Sequence, residues 1–204
     1  MLESRIKQLL ENKELVPQIE ARMAEFSRGR DWQELFSELC FCILTANYTA
    51  EGGMRIQQKL GFNGFYKGGY DELAQKLAAN GHRFPNARAD YIIDARKVAK
   101  DLPRVYDFKG KDARIWLQGV KGLGMKEASH FLRNIGFTDV AILDRHILGL
   151  LAEHDLILKM PKNMSRPQYL ETEKVMEGLS DRTGLDLARL DLYMWYLKTG
   201  KLLK

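Results

Sequence analysis

Apolar residues recur every three or four positions along most of this chain, which is the spacing of amphipathic helices. The spacing is clear across residues 2–26, in "WQELFSELCFCILTAN", in "DELAQKLAANG" and in the final "LDLARLDLYMWYLKTGK". The run "DVAIL", residues 139–143, is the single β-like stretch, and it is too short and isolated to form a sheet. The pattern therefore predicts an all-α fold of about ten helices joined by short loops.

Composition and charge narrow the class of protein. No apolar run in the 204 residues approaches the roughly 18 that span a bilayer. The start, "MLESRIKQLLENKEL", lacks the apolar core of a signal peptide, so we expect a cytoplasmic protein. The net charge of +5 is consistent with a polyanionic partner. Cys40 and Cys42 have no further cysteines with which to hold zinc or an iron–sulfur cluster, and we expect both to be reduced core residues.

The stretch "KGLGMKEASHFLRNIG", residues 121–136, joins two helical patterns through a glycine-containing turn. Gly122 and Gly124 permit a tight hairpin and a close backbone approach to a ligand. The exposed amides of such a hairpin, together with the positive end of the next helix, form a phosphate site that holds DNA without reading its sequence. A Gly-x-Gly turn alone is weak evidence, since many helix–helix turns contain glycines and bind nothing.

Two residues near this turn are candidates for chemistry. Lys126 lies at the start of the second helix, and Asp144 follows eighteen residues later in "ILDRHIL". Asp144 has the position of a helix N-cap and could have that role alone. One helix and a short loop would, however, allow the lysine and the carboxylate to face the same cleft. The turn and the lysine alone leave three roles open for Lys126: a surface residue, a phosphate contact or a nucleophile.

The segment "LQGVKGLGMKEASHFLRNIGFTDVAILDRHIL" resembles the helix-hairpin-helix and Gly/Pro…Asp signature of the DNA glycosylase superfamily. In this resemblance Lys126 has the position of the nucleophilic lysine, and Asp144 that of the signature aspartate. Lys121 stands where the hairpin usually has proline, which changes the rigidity of the turn more than its chemistry. "ILTANYTA" and "FPNARADYIIDARK" match two further segments of the superfamily. The first places Asn47 where the superfamily has the residue that fills the gap left by an extruded base.

Missing features narrow the resemblance to one subfamily. The chain lacks the four C-terminal cysteines usual in endonuclease III and the adenine glycosylases. It is also too short and too helical for the N-terminal β domain of the eukaryotic-type enzyme. Over nearly its full length it resembles the type 2 8-oxoguanine DNA glycosylase/AP lyase of archaea and some bacteria. The matching pieces include "ELCFCILTANYTAEGG", "GHRF" and the ending "LDLYMWYLKTGKLLK".

This resemblance implies a bifunctional DNA repair enzyme. It would extrude 8-oxoguanine, attack the sugar through Lys126 to form a Schiff base, and nick the strand 3′ to the lesion by β-elimination. Asp144 would stabilise the positively charged transition state. The family pattern also implies that the terminal carboxylate of Lys204 recognises the lesion, and that Phe84 and Trp195 stack on the extruded base. Taken alone, a Phe or Trp on a helix is more often a core residue.

The expected architecture is two helical lobes with the active site in the cleft between them. One lobe comprises residues 1–30 and 136–204, and the other, a helical barrel that ends in the hairpin, comprises residues 31–135. The expected partner is double-stranded DNA that contains 8-oxoguanine or an AP site, bound by a monomer, and the chemistry needs no metal or cofactor. Two alternatives stay open: a glycosylase of the same superfamily for another lesion, and a non-catalytic helix-hairpin-helix DNA-binding module.

Overall fold

The computed structural model describes all 204 residues, and it contains helices but no β-strand. The predicted all-α class is therefore confirmed. The α-helices are α1 Leu2–Leu9, α2 Leu15–Ser27, α3 Trp32–Thr45, α4 Ala50–Tyr66, α5 Tyr70–Ala79, α6 Pro85–Ala95, α7 Gly110–Leu117, α8 Met125–Asn134, α9 Arg145–Glu153, α10 Arg166–Thr183 and α11 Leu187–Thr199. A 3-10 helix, Arg96–Asp107, follows α6. None of these helices combines the length and the apolar character needed to cross a membrane.

The chain divides into two compact units. The first unit combines Met1–Arg28 with Leu132–Lys204, and the second is Gly29–Phe131. In the first unit, α11 packs against α9 and α2, and α1 packs against α10. Ile19 and Phe26 of α2 and Met194 of α11 are among its fully or almost fully buried residues. The N-terminal and C-terminal helices of the chain thus share one hydrophobic core.

A buried ion pair fixes the end of α8 within the first unit. Nη1 of Arg133 lies 3.1 Å from Oδ2 of Asp191 on α11, and both side chains are buried. The Arg133 guanidinium also lies 4.7 Å from the ring centroid of Phe26 on α2. Removing one partner of such a pair strands a buried charge and costs about 3–5 kcal/mol. The pair therefore holds the C-terminal end of α8, the helix whose second residue is Lys126.

The second unit is built around α3. From Leu35 to Leu44 this helix is almost entirely buried, and it packs against α4, α6 and the 3-10 helix. Cys40 and Cys42 lie in this stretch, and both are buried and outside any disulfide, as predicted. Burial raises the pKa of the Cys40 thiol well above its ordinary value. This thiol therefore stays protonated and behaves as an apolar core group.

The N-terminal region departs from the predicted pattern. The helical spacing across residues 2–26 did not indicate a boundary, whereas the structure has two helices separated at residues 10–14. Oδ1 of Asn12 accepts hydrogen bonds from the backbone N–H groups of Glu14 and Leu15, each at 3.0 Å. This side chain accepts hydrogen bonds from N–H groups at the start of α2. The apolar spacing is regular on both sides of residues 10–14, so it does not indicate that the helix is interrupted there.

Helix α4 was not predicted from the apolar spacing. It begins after Thr49, whose hydroxyl accepts a hydrogen bond from the N–H of Gly52. A Cβ on Gly52 would lie 2.4 Å from Cε1 of Tyr48, and one on Gly53 would lie 3.1 Å from Cε2 of Phe41. These glycines therefore permit close packing of aromatic rings against the helix, although glycine in a sequence usually argues against a helix interior.

Candidate active site

The hairpin between α7 and α8 spans residues 118–124 and is held against α6. Gly122 has a φ of +89°, in the left-handed region. A Cβ at this position would lie 2.4 Å from Cδ2 of Tyr91. Glycine is therefore required both by the backbone conformation and by the approach of the tyrosine ring. Lys121, on the same turn, pairs with Asp90 of α6 at 2.7 Å.

Lys126 is the second residue of α8, and its side chain is 25% exposed. Its Nζ lies 3.2 Å from Oε1 of Glu127. Gly124 leaves room for this carboxylate, because a Cβ there would lie 3.1 Å from Oε2 of Glu127. The amine thus lies at the positive end of α8, and the neighbouring Glu127 offers an acceptor for its proton. The arrangement holds a half-buried amine that becomes a nucleophile once its proton leaves.

Asn47 and Phe84 lie at exposed positions of the second unit. Asn47 follows α3 with a φ of +58°, a conformation that asparagine tolerates better than most residues. Phe84 precedes α6 and is 38% exposed. The guanidinium of Arg83 lies 5.1 Å from the centroid of the Phe84 ring. An exposed aromatic face beside a cation suits a nucleobase attached to a phosphate backbone.

Arg88 connects Phe84 to the hairpin. Its guanidinium lies 5.9 Å from the ring centroid of Phe84 and 5.4 Å from that of Tyr91, the ring that packs on Gly122. Only 7% of Arg88 is exposed. Burial lowers the pKa of Arg88, and the nearby Tyr91 and Glu127 oppose this shift. Arg88 therefore lies between Phe84 on one side and Tyr91 of the hairpin contact on the other, and it is close enough to Glu127 to interact with its charge.

Asp144 is the N-cap of α9 in the first unit. Its Oδ1 accepts hydrogen bonds from the backbone N–H groups of His146 at 2.8 Å and Ile147 at 2.9 Å. The N-cap role that the sequence left open is thus present. The cap uses only Oδ1, so the second carboxylate oxygen is not needed for it. This geometry is compatible with a second, electrostatic role for the charge of Asp144.

Trp195 and the chain end are connected to Asp144 through neighbouring residues. The ring of His146 meets the indole of Trp195 edge-on, with centroids 4.6 Å apart and an interplanar angle of 73°. The indole Nε1 is buried without a hydrogen-bond partner. The carbonyl of Trp195 accepts a hydrogen bond from the hydroxyl of Thr199, which in turn accepts one from the N–H of Lys201. These bonds fix the start of the tail that ends at the half-buried Lys204.

The structure therefore gathers the predicted residues into two groups. In the second unit, Phe84 and Gly122 are linked through Arg88 and Tyr91, while Asn47 lies on a loop joined by hydrogen bonds to the segment that carries Phe84. In the first unit, Asp144 and Trp195 are linked through His146. The sequence reasoning missed the connecting residues Arg88, Tyr91, His146 and Glu127. The segment "NARADYII" contains two charged residues, Arg88 and Asp90, and a charge among its apolar residues was the available signal for Arg88.

Comparison with known proteins shows which proteins this chain is similar to. A family model described as 8-oxoguanine DNA glycosylase matches residues 19–185. An 8-oxoguanine DNA glycosylase/AP lyase of Korarchaeum cryptofilum is 52% identical over 190 residues, which cover 91% of this chain and 90% of that protein. The crystal structure of the Methanocaldococcus jannaschii 8-oxoguanine glycosylase/lyase with a 15mer DNA containing 8-oxoguanine superposes with a TM-score of 0.96. It is 48% identical, and the match covers 100% of both chains.

A more distant likeness concerns the fold alone. A non-covalent endonuclease III–DNA complex matches 94% of this chain and 85% of that chain, with a TM-score of 0.60 and 16% identity. The two proteins thus share a helical arrangement at low sequence identity.

Proposed function

The chain belongs to the 8-oxoguanine DNA glycosylase family, and from that premise we propose that it is a bifunctional DNA repair enzyme. It excises 8-oxoguanine from double-stranded DNA and then cleaves the strand 3′ to the resulting AP site. The observation that carries this proposal is the position of Lys126, a half-buried amine at the start of the helix that follows the hairpin. A module that only gripped phosphate would need the hairpin but not this amine.

The hairpin positions the enzyme on the DNA. The amides around Gly122 and Gly124, together with the N-terminal end of α8, bind a backbone phosphate irrespective of sequence. The net charge of +5 assists the approach to DNA in a manner that salt weakens. We propose that the protein acts as a monomer in the cytoplasm.

Base extrusion precedes the chemistry. A base inside the duplex cannot be reached, and its extrusion costs a few kcal/mol in lost stacking and pairing. Asn47, exposed at a turn, fills the gap that the extruded base leaves in the DNA duplex. Phe84 and Trp195 supply aromatic faces for the extruded base. The 38% exposure of Phe84 supports this role, since a core phenylalanine would be buried.

Lys126 performs the glycosylase step. Its neutral amine forms a bond to the anomeric carbon while the bond from that carbon to the base breaks, and the departing base carries away the bonding electron pair. Positive charge develops on the sugar during this exchange, and the carboxylate of Asp144 stabilises it. Glu127, 3.2 Å from Nζ, provides a nearby acceptor for the lysine proton. The nitrogen then loses a proton, and its lone pair forms a double bond to the anomeric carbon as the bond from that carbon to the ring oxygen breaks. The ring oxygen takes up a proton, and the product is a Schiff base between Lys126 and the ring-opened sugar.

The lyase step uses the same covalent link. A Schiff base acidifies the neighbouring carbon of the sugar, because the electron pair left after proton loss is delocalised toward the iminium nitrogen. Expulsion of the 3′ phosphate then breaks the strand by β-elimination. Glycosylase and lyase activities therefore depend on one residue, Lys126, and no metal is required for either step.

Selection of the lesion is assigned to the chain end. Guanine has an acceptor at N7, whereas 8-oxoguanine has a hydrogen there and becomes a donor. The terminal carboxylate of Lys204 accepts this hydrogen bond. Guanine would leave the carboxylate facing another acceptor, so it is disfavoured.

The experiment that tests the function uses duplex DNA with a single 8-oxoguanine opposite cytosine, and a matched duplex with guanine. We expect base release and strand cleavage on the first duplex only. Lys126→Gln should abolish both activities, while Lys121→Gln, at an exposed lysine of the same hairpin, should retain them. Release of undamaged guanine at the same rate, or full activity of Lys126→Gln, would contradict the proposal.

A further inference from the structure

Two segments of the second unit are held together by three hydrogen bonds. Nε2 of His82 lies 3.0 Å from the carbonyl oxygen of Leu44. Arg88 donates from Nη2 to the carbonyl of Ala46, and the hydroxyl of Tyr48 donates to the carbonyl of Gly81 at 3.1 Å. We call His82, Arg88 and Tyr48 the loop clamp. It connects residues 44–48 to residues 81–88.

The protonation of His82 follows from its two neighbours. Its Nδ1 lies 3.0 Å from the backbone nitrogen of Phe84, which donates its hydrogen to the ring. Nδ1 is therefore the acceptor, and Nε2 carries the hydrogen that it donates to Leu44. The ring is 4% exposed and packs on Tyr48, with centroids 4.3 Å apart. Burial lowers the pKa of His82, which keeps the ring in this neutral form.

The loop clamp lies between two residues that act on the same event. Asn47 is between Ala46 and Tyr48, whose positions are fixed by the clamp, and it has a left-handed backbone conformation. Phe84 is bonded directly to the His82 ring through its N–H. One side chain fills the gap in the DNA and the other stacks on the base that left it. Their separation must therefore match the distance over which the base is extruded.

We propose that His82 is a positioning residue for base extrusion, which sets Asn47 relative to Phe84 by anchoring the segment that carries Phe84 to the carbonyl of Leu44. This inference rests on the proposed function. It assigns a role to a buried histidine that touches neither the DNA nor the reacting atoms. An AP site has no base to extrude, so its cleavage depends on Lys126 and much less on the loop clamp.

Two substitutions of His82 each retain one of its two hydrogen bonds and remove the other. The amide nitrogen of glutamine is as many bonds from the backbone as Nε2, so His82→Gln can still donate to Leu44. The amide oxygen of asparagine matches Nδ1 instead, so His82→Asn keeps the bond to Phe84 and loses the bridge to Leu44. His82→Leu removes both bonds. The Gln and Asn variants are matched in polarity, and they differ in which bond they retain.

The test compares single-turnover excision of 8-oxoguanine from duplex DNA with cleavage of a preformed AP site. His82→Asn and His82→Leu should lose about tenfold or more in excision, because small misplacements of positioning groups have large effects on rate. Their AP-site cleavage should change about threefold or less, and His82→Gln should stay near wild type on both substrates. Thermal unfolding of each variant verifies that it is folded at the assay temperature.

Three outcomes would overturn the inference. They are normal excision by His82→Leu, equal behaviour of the Asn and Gln variants, and parallel loss of excision and AP-site cleavage in folded His82→Asn. A failure of the proposed function looks different, since the wild-type protein would then leave 8-oxoguanine in place.

Discussion

The ring of Tyr91 occupies the space that any side chain at Gly122 would need. A Cβ on Gly122 would lie 2.4 Å from this ring, and the backbone there has a φ of +89°. We therefore predict that Gly122→Ala lowers the unfolding free energy by about 1–3 kcal/mol through backbone strain and also weakens DNA binding. Thermal unfolding and fluorescence anisotropy with labelled duplex DNA measure the two effects.

Gly149 provides the matched control for this substitution. It lies within α9, has no positive φ, and a Cβ there would meet nothing within 4 Å. Gly149→Ala should leave DNA binding unchanged and raise the unfolding free energy by about 0.5–1 kcal/mol. Equal effects of the two alanines would show that the contact between Tyr91 and Gly122 does not shape the hairpin.

The two proposed roles of Asp144 are separable. Asn caps helices about as well as Asp, so Asp144→Asn should keep the stability of the wild type while losing the negative charge. We predict that this variant loses about 100-fold or more in the rate of base excision. Asp144→Ala removes the cap as well, and its unfolding free energy should fall by about 1 kcal/mol.

Single-turnover excision and thermal unfolding of these two variants provide the comparison. If Asp144→Asn excised 8-oxoguanine at the wild-type rate, Asp144 would be a structural cap only. The Asn variant is the informative one, because its backbone hydrogen bonds to His146 and Ile147 are retained.

Lys204 is expected to affect the choice of base more than strand cleavage. Deletion of Lys204 moves the terminal carboxylate back by one residue, whereas Lys204→Ala keeps the carboxylate in place. We predict that the deletion lowers 8-oxoguanine excision about tenfold or more, the value of a charged hydrogen bond, with little effect on AP-site cleavage. Lys204→Ala should lose less. Equal loss on both substrates after the deletion would argue against recognition by the terminal carboxylate.

Stability should fall with acid because of His82. Burial lowers the pKa of His82 in the folded state, and the positive charge of Arg88 adds to this, against the opposing hydrogen bond to Leu44. The unfolded chain binds a proton near the ordinary value of about 6.5, while the folded chain resists it. The unfolding free energy therefore decreases as the pH falls below about 6.5, until the folded state is also protonated.

Chemical denaturation at pH 7.5 and pH 5 measures this effect. His82→Gln cannot titrate in this range, so it should lose less stability than the wild type between the two pH values. An identical loss in the two proteins would mean that His82 does not contribute to the acid sensitivity.

Much of the fold follows from local sequence patterns. Helix α5 has a regular apolar face and α11 a dense apolar run, and glycines with positive φ at Gly81 and Gly200 follow them, so their existence and approximate ends were readable. The break before α2 involves the side chain of Asn12, and in α4 the rings of Tyr48 and Phe41 pack against Gly52 and Gly53. Contacts of this kind depend on the shape of individual side chains and not on a regular interval along the chain. They therefore produce no periodic pattern in the sequence.

The candidate site divides in the same way. Lys126, Asp144 and the hairpin glycines lie in one contiguous motif, so they could be proposed from sequence. Arg88 and His82 act on carbonyl groups 42 and 38 residues away along the chain. Every residue type has a backbone carbonyl. A hydrogen bond to such a carbonyl therefore does not require a particular residue in the partner segment, and the sequence of that segment does not reveal it. Such positioning residues become visible only in three dimensions.

Borohydride trapping identifies the residue that forms the Schiff base, which we propose is Lys126. The wild-type protein, incubated with 8-oxoguanine duplex and borohydride, should form a covalent protein–DNA adduct, because reduction makes the Schiff base permanent. Proteolysis and mass spectrometry should place the DNA fragment on Lys126. Lys126→Gln should form no adduct, while Lys121→Gln should form it normally. An adduct at wild-type level in Lys126→Gln, or one mapped to another lysine, would contradict the account.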